Sequence, residues 1–328
     1  MARGKGAKLN GLIWGVTLLG GLLCAGVFAY FHFFHYSRSA WQHVPPGATM
    51  AARLDTERVL LYGPVRKHLL PLLDLGGTPD PKGRRERIRE ATGIDVARDI
   101  REVVVANGQG STDFVMILGG KFSSVNVVRK IDEMFETEGH PTELADDSEI
   151  LSFGAGKFGL HLAQADDGVL IIGLSEAVVR ASLPANDVAE NMGLPMKGAG
   201  GFALSGSLFD GSSGPARGML ARLTQLSDVK RVVGSVRFEE NAILQASLEL
   251  RDGVSAADLK SRLETLLAPL RLAAGFLPGD DVAGERSMLT RAQLSAKDEQ
   301  VVKITTFLEA TEIDRGARSL ADMVRLAR

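Results

Sequence analysis

From Leu9 to Phe34 the chain carries no Asp, Glu, Lys or Arg, and this uncharged run restricts what the sequence can fold into more than any other feature. Wound as a helix at about 1.5 Å per residue, Leu9–Phe31 extends roughly 34 Å, which matches a bilayer hydrocarbon core of about 30 Å. The reading is a transmembrane helix with an aromatic belt over residues 9–34. Arg3, Lys5 and Lys8 precede it and only Arg38 follows closely, so the positive-inside bias makes residues 1–8 a cytoplasmic basic tail and sends the body across the membrane. That predicts a single-pass protein of the inner (cytoplasmic) membrane, in contact with membrane lipid, with a periplasmic or otherwise extracytoplasmic body. Tyr30, Phe31, Phe34, Tyr36 and Trp41 crowd the exit and are the expected membrane-interface anchors. Thr17, Gly21, Ala25 and Ala29 recur every four residues, forming one small-residue face through which a homodimer or a partner helix can pack.

Two other readings of this run stand beside the anchor. Val27-Phe28-Ala29 has the small-x-small form of a signal-peptide cleavage site, but the apolar run exceeds the usual h-region of about 7–15 residues. Leu22-Leu23-Cys24 has the outline of a lipidation site, with a bulky Leu23 where a small residue belongs.

Cys24 is the only cysteine of the 328 residues, so the body forms no disulfide and has no thiol nucleophile. Hydrophobic content of 45% and charged content of 24% fit a folded globular body. The basic residues of the first forty leave the body with the acidic excess, and a mildly acidic body lacks the clustered cations that neutralise phosphates. Nucleic acid is excluded as a partner.

After a linker over residues 35–47 the sequence reads as two α+β modules, 48–184 and 200–328, joined by a second linker, 185–199. In the first, residues 49–54 form a strand leading into a helix, and 103–106 and 114–118 pair as strands. A helix then carries Val127, Val128, Ile131, Met134 and Phe135 at 3.6-residue spacing, and a hairpin turns at Asp166-Asp167-Gly168. The second repeats this order with strands at 202–208, 232–238 and 244–250, a long helix over 254–272, and strands at 288–294 and 301–308. Asp99-Ile100-Arg101-Glu102-Val103-Val104 parallels Asp228-Val229-Lys230-Arg231-Val232-Val233. The expected fold class is therefore α+β: an N-terminal transmembrane helix, then two tandem βαββαβ-like (ferredoxin-like) modules with antiparallel sheets, related by internal duplication.

The strands of the two modules are patterned differently. Leu244, Ala246, Leu248 and Leu250 alternate with polar residues, as when one sheet face meets water. Phe114-Val115-Met116-Ile117-Leu118 and Val169-Leu170-Ile171-Ile172 are unbroken apolar runs, so something should cover both faces. The other half or a second chain can do so, and so can the chain's own helices near 56–73 and 84–92.

Chemistry-bearing motifs fail their structural tests. Gly154-Ala155-Gly156-Lys157-Phe158-Gly159 matches G-x-G-x-x-G, but a strand follows it where phosphate binding needs a helix N-terminus. No G-x-S-x-G elbow, HxxxH or cysteine pair is present. Nothing in the spacing sets His43, His68, His140 or His161 beside a nucleophile. Asp146-Asp147-Ser148-Glu149 lacks calcium-loop spacing. Lys82, Arg84, Arg85, Arg87 and Arg89 form a solvated helix face, partly neutralised by Glu86 and Glu90. No catalytic residue, metal or cofactor is expected.

The opening Val44-Pro45-Pro46-Gly47-Ala48-Thr49, leading into a strand that ends Leu54-Asp55 behind a basic tail and an apolar helix, resembles a group of single-pass, membrane-anchored extracytoplasmic bacterial proteins. The resemblance covers the anchor and the start of the body, and implies location rather than activity. The expectation is a membrane-tethered, non-enzymatic scaffold or binding protein of the cell envelope, with a protein partner or homodimer formed through the transmembrane helix or the first module. The alternative is an envelope enzyme whose site has no recognised motif.

Overall fold

A computed structural model describes residues 39–73, 84–108, 113–122, 126–137, 142–145, 150–154, 159–209, 226–276 and 283–326. Its strands are β1 (Met50–Asp55), β2 (Ile100–Asn107), β3 (Phe114–Gly120), β4 (Thr142–Ala145), β5 (Ile150–Phe153) and β6 (Leu160–Gln164). They continue with β7 (Leu170–Gly173), β8 (Gly200–Ser205), β9 (Val229–Phe238), β10 (Ala242–Leu250), β11 (Gln293–Asp298) and β12 (Val301–Leu308). All join one antiparallel sheet in the order β11-β12-β10-β9-β8-β1-β2-β3-β7-β6-β5-β4.

Outward from the central β1–β8 pair the order repeats: β1-β2-β3-β7-β6 on one side, β8-β9-β10-β12-β11 on the other. In each half a three-stranded meander leads into a helix, Val127–Thr137 or Ala256–Phe276, and a returning hairpin lays its second strand against the meander's third. The β4–β5 hairpin extends the first half alone. This corrects the expected fold class of two ferredoxin-like modules with separate sheets. A split βαβ unit needs parallel neighbours, whereas β1 pairs antiparallel with both β2 and β8. The register Ala51↔Ala203 and Arg53↔Gly201 joins the two edges that separate modules would leave unpaired. Residues Arg38–Arg328 accordingly form one compact unit.

The single-pass inner-membrane placement is corrected as well. Among the described residues no helix is long and apolar enough to cross a membrane. The longest, Ala256–Phe276, carries Asp258, Lys260, Arg262, Glu264 and Arg271. The run 9–34 lies outside the described residues, so the α+β fold is described without a transmembrane helix.

Strand alternation divides the sheet into two faces. On face A, Ala51, Val104, Ala106, Val115, Ile117 and Ile171 are buried, beneath residues 39–48 and the helices Glu176–Ser182 and Val188–Asn191, which contribute Ala40, Val44, Val178, Val179 and Ala189 to the same core. On face B the helix Val127–Thr137 packs Val128 against Leu151 and Leu162. The long helix sets Leu259 and Leu263 on Leu248, Val302 and Ile304. Its Pro269 removes a helical hydrogen bond, and beyond it Leu270 and Leu272 are exposed. Residues 288–291, expected as strand, instead complete the helix Ala283–Arg291, which docks where Thr306 Oγ1 donates to the Met288 carbonyl (2.9 Å).

Candidate functional site

The centre of the sheet is patterned inside out. In β1 the buried side chains are Ala51, Arg53 and Asp55, while Ala52 and Leu54 are exposed. Because side chains alternate strictly along a strand, the charges and the leucine cannot exchange faces without a one-residue slip of the register. In β2, Glu102 is buried beside Asp55, and Val105 is exposed.

The buried charges answer one another. Arg53, 3% exposed, donates through Nε to Glu102, which has no exposure, and its Nη2 lies 3.9 Å from Asp55. Asp55 also caps the helix Thr56–Leu61 by accepting from the Arg58 backbone N–H, and the Arg58 Nε stands 3.4 Å from its carboxylate. Two acids and two arginines thus balance across β1, β2 and the first helix. A cluster of this kind adds little net stability over an apolar core, but breaking one member is severe, so it fixes which residues face inward.

Behind it, on face B, lies the consequence. Leu54 (42% exposed), Val105 (37%) and Met116 (38%) form an apolar strip across β1, β2 and β3, since Ala52 pairs with Val105 and Val105 with Met116. The helix Val127–Thr137 contacts β4, β5 and β6, and the long helix contacts β11 and β12. In the sheet order the seven strands from β10 to β7 lie between those that the two helices contact, and the strip takes up three of them, about 14 Å at roughly 4.8 Å per strand. At one end the helix Thr56–Leu61 closes it, held by Thr56 Oγ1 donating to the Ile100 carbonyl (2.7 Å) and by the Arg101–Glu57 ion pair (3.1 Å). The unbroken apolar run in β3 is therefore covered on face A by the chain itself, while Met116 is left open on face B. The helices near 56–73 and 84–92 do not bury it.

Other polar contacts hold the framework. His43 (2% exposed) joins the short turn Ala40–His43 to the core, its Nδ1 2.9 Å from the Ser182 carbonyl and its Nε2 3.3 Å from Asp167. Burial disfavours its charge, but the hydrogen bonds to Asp167 and Ser182 and the Asp167 charge outweigh it and raise the pKa above 6.5. Burial pushes Asp167 up, yet the hydrogen bond from His43 prevails and lowers it to about 2. On the sheet edge Ser152 Oγ lies 2.8 Å from His161 Nδ1, a pairing the sequence spacing did not reveal. Glu143 stands opposite Ser152 in the register, on the far side from the histidine, so the arrangement is a cross-strand hydrogen bond and not a nucleophile–base–acid relay.

Of the residues singled out from sequence, Trp41 lies in the turn Ala40–His43, partly buried against the face A core. Thr17, Gly21, Ala25, Ala29, Tyr30, Phe31, Phe34 and Tyr36 lie outside the described residues, as do Lys82 and the acidic loop 146–149. Gly154 and Gly159 precede β6, a strand, so the glycine motif lacks its helix. In the basic helix Arg84–Thr92, Arg85 makes a two-pronged pair with Asp95, at 2.7 Å on each prong.

No protein-family model matches the sequence, and no curated protein does. Among solved structures the chain is similar to crystal form III of TP0453 at 8% identity and a TM-score of 0.45, over 86% of this chain and 99% of that one. Crystal form I of TP0453 gives 8% identity and a TM-score of 0.44, over 87% of this chain and 98% of that one. A likeness at this level carries no argument about fold or activity.

Proposed function

We propose that this protein is a non-enzymatic binding or scaffold protein whose sheet centre receives an apolar helix of a partner protein. The observation that carries the reading is the inverted β1, which places Arg53 and Asp55 inside and Leu54 outside. Contiguous exposed apolar surface marks interaction sites, and departures from ordinary patterning concentrate where function requires them. An α-helix with its side chains is about 10–12 Å across, a width that the strip of three strands, about 14 Å, matches.

The test is to purify the tagged full chain from its own cells beside Met116→Lys and Val105→Lys variants. A protein recovered in stoichiometric amount with the wild type and lost from both variants, with thermal stability unchanged, supports the reading. Equal recovery of that protein with both lysine variants, or recovery of none with the wild type, rejects it.

A further inference from the structure

A second feature, independent of the strip, lies on face A. Residues 39–48 form a strap that takes no place in the sheet ladder. Just before β1 it turns at Gly47, which is exposed and adopts φ +81°, and on its underside Ala40 and Val44 have no exposure. Its far end is attached where the Asn186 N–H donates to the Gln42 carbonyl (2.7 Å), and where His43 reaches the Ser182 carbonyl through Nδ1 (2.9 Å) and Asp167 through Nε2 (3.3 Å). Both partners of His43 are acceptors. A neutral imidazole carries one N–H and can donate to only one of them, whereas an imidazolium donates to both.

We propose that residues 39–48 are a pH-gated flap, latched over face A by the doubly hydrogen-bonded His43 imidazolium and freed to swing about Gly47 when that ring loses a proton to solvent. The turn Ala40–His43 contacts β2, β3 and the helix Val188–Asn191, so an open flap bares apolar surface on β2 and β3. In β2, Arg101 pairs with Glu57 and Glu102 with Arg53, and β3 carries no charged side chain. Glu176 pairs with Arg180 on the helix Glu176–Ser182, and Asp187 and Glu190 are exposed. In the β6–β7 turn Asp166 is exposed, and the charge that acts on His43 is that of Asp167. Burial disfavours the imidazolium, but its hydrogen bonds to Asp167 and Ser182 outweigh burial and raise its pKa above 6.5. With the folded value raised, the latch is fully present below the unfolded pKa and is lost as pH rises through the folded one.

Hydrogen exchange of the full chain, followed by mass spectrometry from about pH 6 to 8.5 and corrected for intrinsic exchange, tests the proposal across the range in which histidine titrates. Peptides covering residues 40–44 and 183–187 report the flap, and β2 reports global unfolding. The flap amides should be protected at least about tenfold less than β2, as local opening requires. Their protection should fall at least about tenfold across the range, the worth of one charge-assisted hydrogen bond. His43→Gln should abolish the fall and Asp167→Asn should shrink it, with circular dichroism confirming that each variant is folded. Flap amides as protected as those of β2 would show that the strap opens only with the whole fold, and overturn the proposal. A fall of less than about twofold in the wild type, too small for a charge-assisted bond, or an equal fall in either folded variant, overturns it too.

Discussion

Replacing Arg53 with leucine removes the cation that two fully buried carboxylates share. Glu102 and Asp55 have no exposure, and in β1–β2 pairing they stand directly opposite each other, so the variant leaves like charges adjacent, with Arg58 at 3.4 Å from Asp55 on one side. Breaking a buried pair in this way costs about 3–5 kcal/mol. For a unit spanning roughly 290 residues the unfolding entropy is about 0.6 kcal/mol per degree, so the melting temperature should fall by roughly 5–8 °C. The informative comparison is with Arg53→Leu combined with Glu102→Leu. Removing the second charge should return much of the loss, because an apolar pair of similar volume is nearly as good as the ion pair and the two changes are coupled. Differential scanning calorimetry of wild type, both single variants and the double variant measures this. A double variant as unstable as the sum of the singles, or an Arg53→Leu variant within about 1 °C of wild type, refutes the buried-cluster reasoning.

Three further outcomes are expected. Because the folded-state pKa of His43 is raised above 6.5, its clasp stabilises fully below that value and is lost as pH rises through the folded pKa. Denaturant unfolding should therefore show stability falling from mildly acid to alkaline pH, a trend diminished in His43→Ala. Gly234 sits under the Phe202 ring, where a Cβ would meet the ring 2.2 Å away, so Gly234→Val should displace Phe202 and lower stability by about 1–3 kcal/mol, read by the same unfolding assay. Met116→Lys, at an exposed position, should change stability by no more than about 0.5 kcal/mol.

Several elements were legible because their causes are local. The Asp166-Asp167-Gly168 turn joins β6 to β7, the apolar stripe from Val127 to Phe135 is a helix, and the paired segments from Asp99 and Asp228 open β2 and β9, which hold equivalent places in the sheet order. The joining of the halves was not legible, because β1–β8 pairing is made by backbone groups that every strand edge presents, and no side-chain pattern announces it. Residues 288–294 misled because their apolar spacing suits a strand or a helix, and the contact with Thr306 decides for the helix as far as Arg291. The candidate site was half visible. The unbroken run in β3 demanded cover on both faces, and Met116 is where that cover is missing. The burial of Arg53 and Asp55 was not legible, because it depends on Glu102, which lies in another strand. The Ser152–His161 contact was hidden in the same way by strands β5 and β6, which bring the two together.

Site-specific photocrosslinking in the producing cells tests the central claim most directly. A photoreactive residue at position 116 or 105 should give one discrete higher-mass adduct, and the same residue at Lys303, exposed on the opposite face of β12 from buried Val302, should give none. No adduct from the strip, or the same adduct from all three positions, contradicts the account.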